Sequence, residues 1–351
     1  MIKVPARIAL TLVVLLLAVA ITVPIPVIPV ADAQGRTLVY VTNEISGNLT
    51  VIDHATRKVA ATVPLGKRPR GLNPSPDGRF VYIALSGSAM GGPGVDEDKL
   101  PPPDRSADGI GQFSVATNKL VKVIKGGTDP EQVAVAANGR SLYVANEDAA
   151  TVSVIDATSA KVTHTVSVGG EPEGVTMHPS GKFIYVTSEN EGTVHVIDTA
   201  SNRELTRVKV GPRPRSVAFL PDGSRAFVTL ETAAGVAVID AVKHTLMQTI
   251  TLGDEKVRPM GVVANPNGKE VYVTTGWYEH VIVLDPIKNI ALGSVRVGTR
   301  PWGLAVTPDG KTLYTANGQS NDVSVVDIAA RKVVEKIKVG TRPWGVTIVG
   351  K

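Results

Sequence analysis

The chain contains no cysteine. That excludes disulfides, thiolate metal sites, cysteine nucleophiles, a cysteine-borne lipid anchor and haem attachment through Cys-x-x-Cys-His. Aromatic residues are scarce, 4% with three tryptophans. Charge is sparse and mixed: the net charge is +5 with no basic or acidic run, so the electrostatic footprint of a nucleic-acid binder is missing and no nucleic-acid partner is expected. The six histidines, His54, His164, His178, His195, His244 and His280, are scattered along the chain, whereas metal ligands must converge; no metal site and no cofactor are expected. Neither a Gly-x-Ser-x-Gly elbow nor a phosphate-cradling glycine loop occurs, so no catalytic residue is assigned.

At the N-terminus, Lys3 and Arg7 precede an apolar stretch from Ile8 to Val30, and Ala31-Asp32-Ala33 follows. A basic start, an apolar middle and an Ala-x-Ala end describe a secretory signal peptide over residues 1–33, cut after Ala33. The alternative is an uncleaved anchor, against which Pro24, Pro26 and Pro29 argue. Either way the folded part is expected outside the cytoplasm, periplasmic or secreted, with membrane contact only through an uncleaved N-terminus.

Thirty-four glycines and 24 prolines are spread over the chain, which suits short strands joined by tight turns. Three units recur. A Tyr-Val-Thr-Asn-like unit stands at Tyr40, Tyr82, Tyr143, Tyr185, Phe227, Tyr272 and Tyr314. A Val-x-Val-Ile-Asp-like unit ends at Asp53, Asp156, Asp198, Asp240, Asp285 and Asp327, with Ala116 taking the Asp place in the second repeat. A Gly-x-x-Pro-x-Gly-like unit places Pro69, Pro130, Pro172, Pro214, Pro259, Pro301 and Pro343, spaced 61, 42, 42, 45, 42 and 42 residues apart.

Between these landmarks apolar residues alternate as in strands. In the third repeat the pattern predicts strands at Gln132–Ala136, Ser141–Ala145, Thr151–Asp156 and Lys161–Val168. Four strands in about 42 residues make one propeller blade. Pro76-Asp77-Gly78 and its counterparts supply the first turn, and each terminal Asp can accept backbone N–H bonds from the next turn. The chain ends on a first strand, Gly345–Val349, and the mature part begins on a second, Thr37–Thr42. The expected fold is therefore all-β: a seven-bladed β-propeller of four-stranded antiparallel blades over residues 36–351, closed by pairing of the C-terminal strand with the N-terminal blade.

Over residues 36–350 the chain resembles the YVTN family of β-propeller repeat proteins. It is similar above all to the branch associated with PQQ-dependent catabolism. The residues that carry the resemblance are Tyr314-Thr-Ala-Asn-Gly-Gln-Ser-Asn-Asp-Val-Ser-Val-Val-Asp327, Thr128-Asp-Pro-Glu131, Glu171-Pro-Glu-Gly174 and Arg342-Pro-Trp-Gly345. The resemblance implies a propeller with an accessory role near PQQ-dependent alcohol catabolism. Quinoprotein alcohol dehydrogenases usually have eight blades, tryptophan-docking repeats and often a vicinal disulfide; this chain has none of these.

The 61-residue spacing marks an insertion between Ser86 and Asp108 in the second blade. Its acids Asp96, Glu97, Asp98, Asp104 and Asp108 do not have the alternation of an EF-hand, and the expectation is a solvated loop.

In a propeller the loops before each first strand and between strands two and three share one face. Before the repeat prolines stand Arg68, Asp129, Glu171, Arg213, Arg258, Arg300 and Arg342; after them stand Arg70, Glu131, Glu173, Arg215, Met260, Trp302 and Trp344. The second set of loops contributes Glu44, Glu147, Glu189 and Glu231, with Trp277, Tyr278 and His280 in the sixth blade. Two readings follow. The arginines and glutamates pair around the mouth while Trp302 and Trp344 wedge between blades, as repeats often reproduce structural residues. Or Arg68, Arg70, Arg213, Arg215, Arg258, Arg300, Trp302, Arg342, Trp344, Trp277, Glu147 and Glu189 form a site for a protein or a small anionic or aromatic ligand. On the second reading the protein is a non-enzymatic binding scaffold and a monomer. The rival is an enzyme on the same scaffold, a lactonase-like hydrolase or a quinone- or haem-linked oxidoreductase, with Glu147 and Glu189 binding metal or acting as bases.

Overall fold

The computed structural model describes residues 35–91, 96 and 99–350. The proposed signal peptide and part of the insertion, including Glu97 and Asp98, lie outside the described residues. Seven four-stranded antiparallel sheets stand as blades in a ring. Blade one is built from both chain ends: Pro343–Val349 is its inner strand, followed outward by Leu38–Asn43, Asn48–Asp53 and Lys58–Pro64. Leu38 pairs with Val349 and Val41 with Val346, so ladder hydrogen bonds complete the sheet and leave no open end to the ring. The third blade runs Pro130–Val135, Ser141–Asn146, Thr151–Asp156 and Lys161–Ser167. Its inner strand begins two residues before the predicted start, at the repeat proline.

The terminal aspartates act as expected. Asp53, Asp156 and Asp198 accept N–H bonds from Thr56, Ser159 and Ser201 at 2.8, 2.6 and 2.7 Å. The second blade corrects the sequence reading. Ser114, not Ala116, takes the Asp place: it pairs with Phe80 as Asp198 pairs with Phe183. Its hydroxyl accepts the Thr117 N–H at 3.3 Å. Serine offers the turn an oxygen acceptor; alanine has none.

Two features hold neighbouring blades together. The repeat tyrosines are buried, and Tyr143, Tyr185 and Tyr314 reach Asn202, His244 and His54 of the next blade at 3.3, 2.7 and 2.7 Å. Two of the scattered histidines are thus used as blade-to-blade hydrogen-bond partners. The repeat threonine bridges too. Thr187 accepts the Gly174 N–H of its own blade at 2.8 Å and donates to the Arg215 carbonyl of the next at 2.9 Å. Thr42, Thr229 and Thr274 donate likewise to the carbonyls of Arg70, Met260 and Trp302 at 2.7, 2.7 and 2.6 Å. Glycine is required beside these bridges because inner strands approach closely: a Cβ on Gly174 would lie 2.4 Å from the Arg215 carbonyl oxygen, and one on Gly261 2.5 Å from that of Trp302.

Candidate functional site

Each residue that precedes a repeat proline has a left-handed backbone, φ +36° at Arg68, +48° at Asp129, +50° at Glu171, +46° at Arg213, +44° at Arg258, +56° at Arg300 and +57° at Arg342. Such values are uncommon for non-glycine residues. The same hydrogen bond accompanies each. The carbonyl of the pre-proline residue accepts an N–H from the second loop of its own blade: Glu44 to Arg342, Ser86 to Arg68, Glu147 to Asp129, Glu189 to Glu171, Glu231 to Arg213, Gly276 to Arg258 and Gly318 to Arg300. The two loops of a blade are thereby stapled, and their side chains are delivered together to the mouth of the ring.

Two arginines organise one part of the mouth. Arg70 directs Nη1 at Asp129 (3.4 Å), Glu147 (3.3 Å) and Glu131, and its Nε lies 3.8 Å from Glu44. Arg215 directs Nη1 at Glu173 (2.9 Å), Glu189 and Glu231 (3.7 Å). All of these groups except Glu147 are buried. Burial works to discharge Arg70, but the charges of Glu147, Asp129 and Glu44 outweigh it and its pKa is raised. Burial likewise opposes the charge on Asp129, yet Arg70, Ser86 and Arg68 bring its pKa below the ordinary carboxylate range. Glu231 is lowered in the same way by Arg215, Arg213 and Arg258. Glu173 and Glu189 go the other way. Burial raises both, Glu173 far above its usual range, against the pull of Arg215.

Asp129, Glu131 and Glu147 bring ligand oxygens within 4.8 Å of one another and are the group best placed to hold a metal ion among the described residues. Arg70 already supplies a cation to all three. In the insertion, Asp104 pairs with Lys67 at 2.7 Å, and Asp108 accepts the Gly87 N–H at 2.6 Å and pairs with Arg105 at 3.1 Å. Asp108 is thus engaged within the insertion, and Asp104 ties it to Lys67 in the loop before the inner strand.

The sixth, seventh and first blades differ. Trp302 and Trp344 lie 5.7 Å apart with planes inclined by 33°. Arg300 and Arg215 stand over Trp302 at 5.1 and 5.3 Å, Arg70 over Trp344 at 6.0 Å, and Arg258 over Trp277 at 5.4 Å. Trp277 and Tyr278 are 62% and 55% exposed. Among the described residues Arg300 has no carboxylate within ion-pair distance, while Arg68, Arg258 and Arg342 each have one and Arg213 has two. Burial, then the nearby charge of Arg342, lowers the Arg300 pKa.

Below the mouth a cavity of about 330 Å³ runs between the inner strands, with Glu173, Arg215, Met260, Trp302 and Trp344 in its wall. The size suits a small organic ligand, and the wall joins a charged side to an apolar one.

The structure thus brings Arg70 and Glu147 together, and Arg213, Arg215 and Glu189. It brings Arg300, Trp302 and Trp344 into a second group with Arg342 near, and sets Trp277 at the rim over Arg258. The set singled out from the sequence omits Glu44, Asp129, Glu131, Glu173 and Glu231, which complete the ionic cluster. Their positions in the aligned repeats are the signal that marks them.

Comparison with known proteins agrees with this architecture. A family model described as YNCE-like beta-propeller matches residues 105–225, and one described as lactonase, 7-bladed beta-propeller matches residues 201–334. No curated protein matches the chain. Among solved structures, a provisionally assigned 6-phosphogluconolactonase from Bacteroides uniformis is 20% identical, with a TM-score of 0.72 over 90% of this chain and 100% of that one. Hydrazine synthase of Kuenenia stuttgartiensis is 20% identical, with a TM-score of 0.68 over 81% and 95%. The dihydro-heme d1 dehydrogenase NirN is 15% identical, with a TM-score of 0.65 over 91% and 76%. At such identities the likeness shows the fold alone. The chain is a β-propeller protein with seven blades.

Proposed function

We propose that this protein is a non-enzymatic binding propeller that takes a small anionic, aromatic ligand at the mouth of its ring, in the sector of Arg300, Trp302, Arg342 and Trp344. One observation carries the reading. The carboxylates of the mouth cluster on Arg70 and Arg215, whereas Arg300 lies over Trp302 without an acid partner among the described residues. A guanidinium binds carboxylates through paired hydrogen bonds, and indole offers a flat apolar surface. The resemblance to the PQQ-associated branch supports an accessory role beside PQQ-dependent alcohol catabolism, and the basic-apolar-small N-terminus supports an extracytoplasmic location.

A second reading has an observation of its own. Glu173 stands in the cavity wall with a raised pKa, as a general acid requires, and the lactonase family model overlaps the blades that carry Arg215 and Trp302. The test is a calorimetric titration with aromatic acids, run beside lactone hydrolysis and metal analysis of the purified protein. The binding reading expects acid binding that Arg300→Ala with Arg342→Ala abolishes while the protein stays folded. Lactone turnover abolished by Glu173→Gln would replace it with the hydrolase reading.

A further inference from the structure

Three ion pairs of the mouth follow one rule that crosses blade boundaries. The first residue of the second loop in one blade meets the pre-proline residue of the next. Glu44 meets Arg68 at 3.0 Å, Glu189 meets Arg213, and Glu231 meets Arg258 at 2.6 Å; Ser86 instead hydrogen-bonds Asp129, and Glu147, whose next pre-proline residue is Glu171, turns to Arg70. Continued round the ring, Arg300 should meet residue 276 and Arg342 should meet residue 318. Both are glycine. Arg300 is left without an acid, and Arg342 turns its Nε to Glu44 at 3.0 Å, an acid already shared with Arg68. The two glycines belong to neighbouring blades; at 276 a Cβ would lie 2.9 Å from Met260 Cγ, whereas at 318 the surroundings are the Pro343 and Arg300 carbonyls and Arg342.

Space does not explain the glycine at 318. A Cβ there would meet only the Pro343 and Arg300 carbonyl oxygens at 3.4 and 3.5 Å and Arg342 Cγ at 3.8 Å, ordinary contacts. Nor is its φ in the left-handed region that favours glycine. The backbone there accepts a side chain, and the fold does not use one.

We propose that the glycine at 318 holds open the place of a repeat carboxylate, and that the carboxylate of a small aromatic acid fills it, bound by Arg342 and the neighbouring Arg300 with its ring against Trp302. This deepens the binding function proposed above and rests on it. The ligand supplies the acid that the repeat supplies elsewhere, which accounts for a half-buried arginine next to paired ones.

The probes are indole-3-carboxylate and its neutral analogue indole-3-carboxamide, titrated calorimetrically into the wild-type chain, Gly318→Glu, and Arg300→Gln with Arg342→Gln. Wild type is expected to bind the acid about tenfold or more tightly than the amide, the usual gain from a charged hydrogen bond. Gly318→Glu is expected to lose that preference, because its own carboxylate occupies the place. It is also expected to melt at the same or a higher temperature than wild type, and to lose any gain when combined with the two arginine substitutions. Should Gly318→Glu bind the acid as wild type does, while the arginine variant does not, the seat is wrong and the binding sector stands. Equal binding of acid and amide by wild type, or binding of neither, overturns the seat; binding of neither removes support for the sector as well.

Discussion

The mouth of this propeller contains two regions built by the same repeat. From the second to the fifth blade, the charged side chains in contact with Arg70 or Arg215 form one network that is buried except at Glu147. From the sixth round to the first, Met260, Trp302 and Trp344 stand after the repeat prolines where the third and fourth blades have Glu131 and Glu173, and Arg300 stands on Trp302 without a carboxylate within ion-pair distance among the described residues. Identical backbone staples underlie both regions, since the pre-proline carbonyl accepts a loop N–H in each blade. The backbone therefore fixes where side chains arrive, and residue identity alone decides whether a place becomes part of the structure or is left open to a partner. A buried network of this kind costs desolvation and does not tolerate the loss of one member; an unpaired, partly exposed arginine can be exchanged with little effect on folding.

That contrast can be broken most forcibly at Arg215. Replacing it by Met removes the cation shared by Glu173, Glu189 and Glu231, and leaves Glu173 without it while Glu189 and Glu231 keep Arg213 and Arg258. The expected loss is about 3–5 kcal/mol in a urea unfolding curve at pH 7, the cost typical of an uncompensated buried charge. A loss below about 1 kcal/mol would mean that these acids are neutral or hydrated, since breaking a desolvated network costs more than that.

A subtler effect is expected from Glu173→Gln. The folded-state pKa of Glu173 is raised, chiefly by burial, so above the unfolded value of about 4.3 the folded form holds a proton that the unfolded chain releases. Its contribution is fully present at lower pH and is lost as pH rises through the folded pKa. Asp129 and Glu231, with lowered pKa values, contribute in the opposite sense and lose their stabilisation as the solution is acidified. The variant should therefore show a flatter decline in stability as pH rises above the unfolded value of about 4.3 while keeping the acid-side loss. Unfolding curves across that range measure it, and superimposable pH profiles would show that Glu173 is ionised in the folded protein.

The smallest effect sharpens the comparison from the other side. Arg300→Gln should cost about 1 kcal/mol or less, since it gives up the stacking on Trp302 but no ion pair. A loss approaching that of the Arg215 variant would place Arg300 in the structural network and take it out of the proposed binding sector.

The sequence by itself determined the number of blades, the closure of the ring by its two ends and the face on which arginines, glutamates and tryptophans gather. Those follow from period, alternation and turn chemistry, which are local. Near the insertion the register slipped from Ser114 to Ala116, because the pairing of Ser114 with Phe80 is made across the sheet and leaves no mark in a motif that has lost its Asp. The partners of the charges were decided only by tertiary structure. Arg70 meets Asp129, Glu131 and Glu147 across a blade boundary, and Arg300 stacks on Trp302 two residues further along the chain. Neither contact is encoded in the period of the repeat. It takes the curvature of the closed ring to turn one blade's loop toward the next blade's proline, and so to show which places the chain has left unfilled.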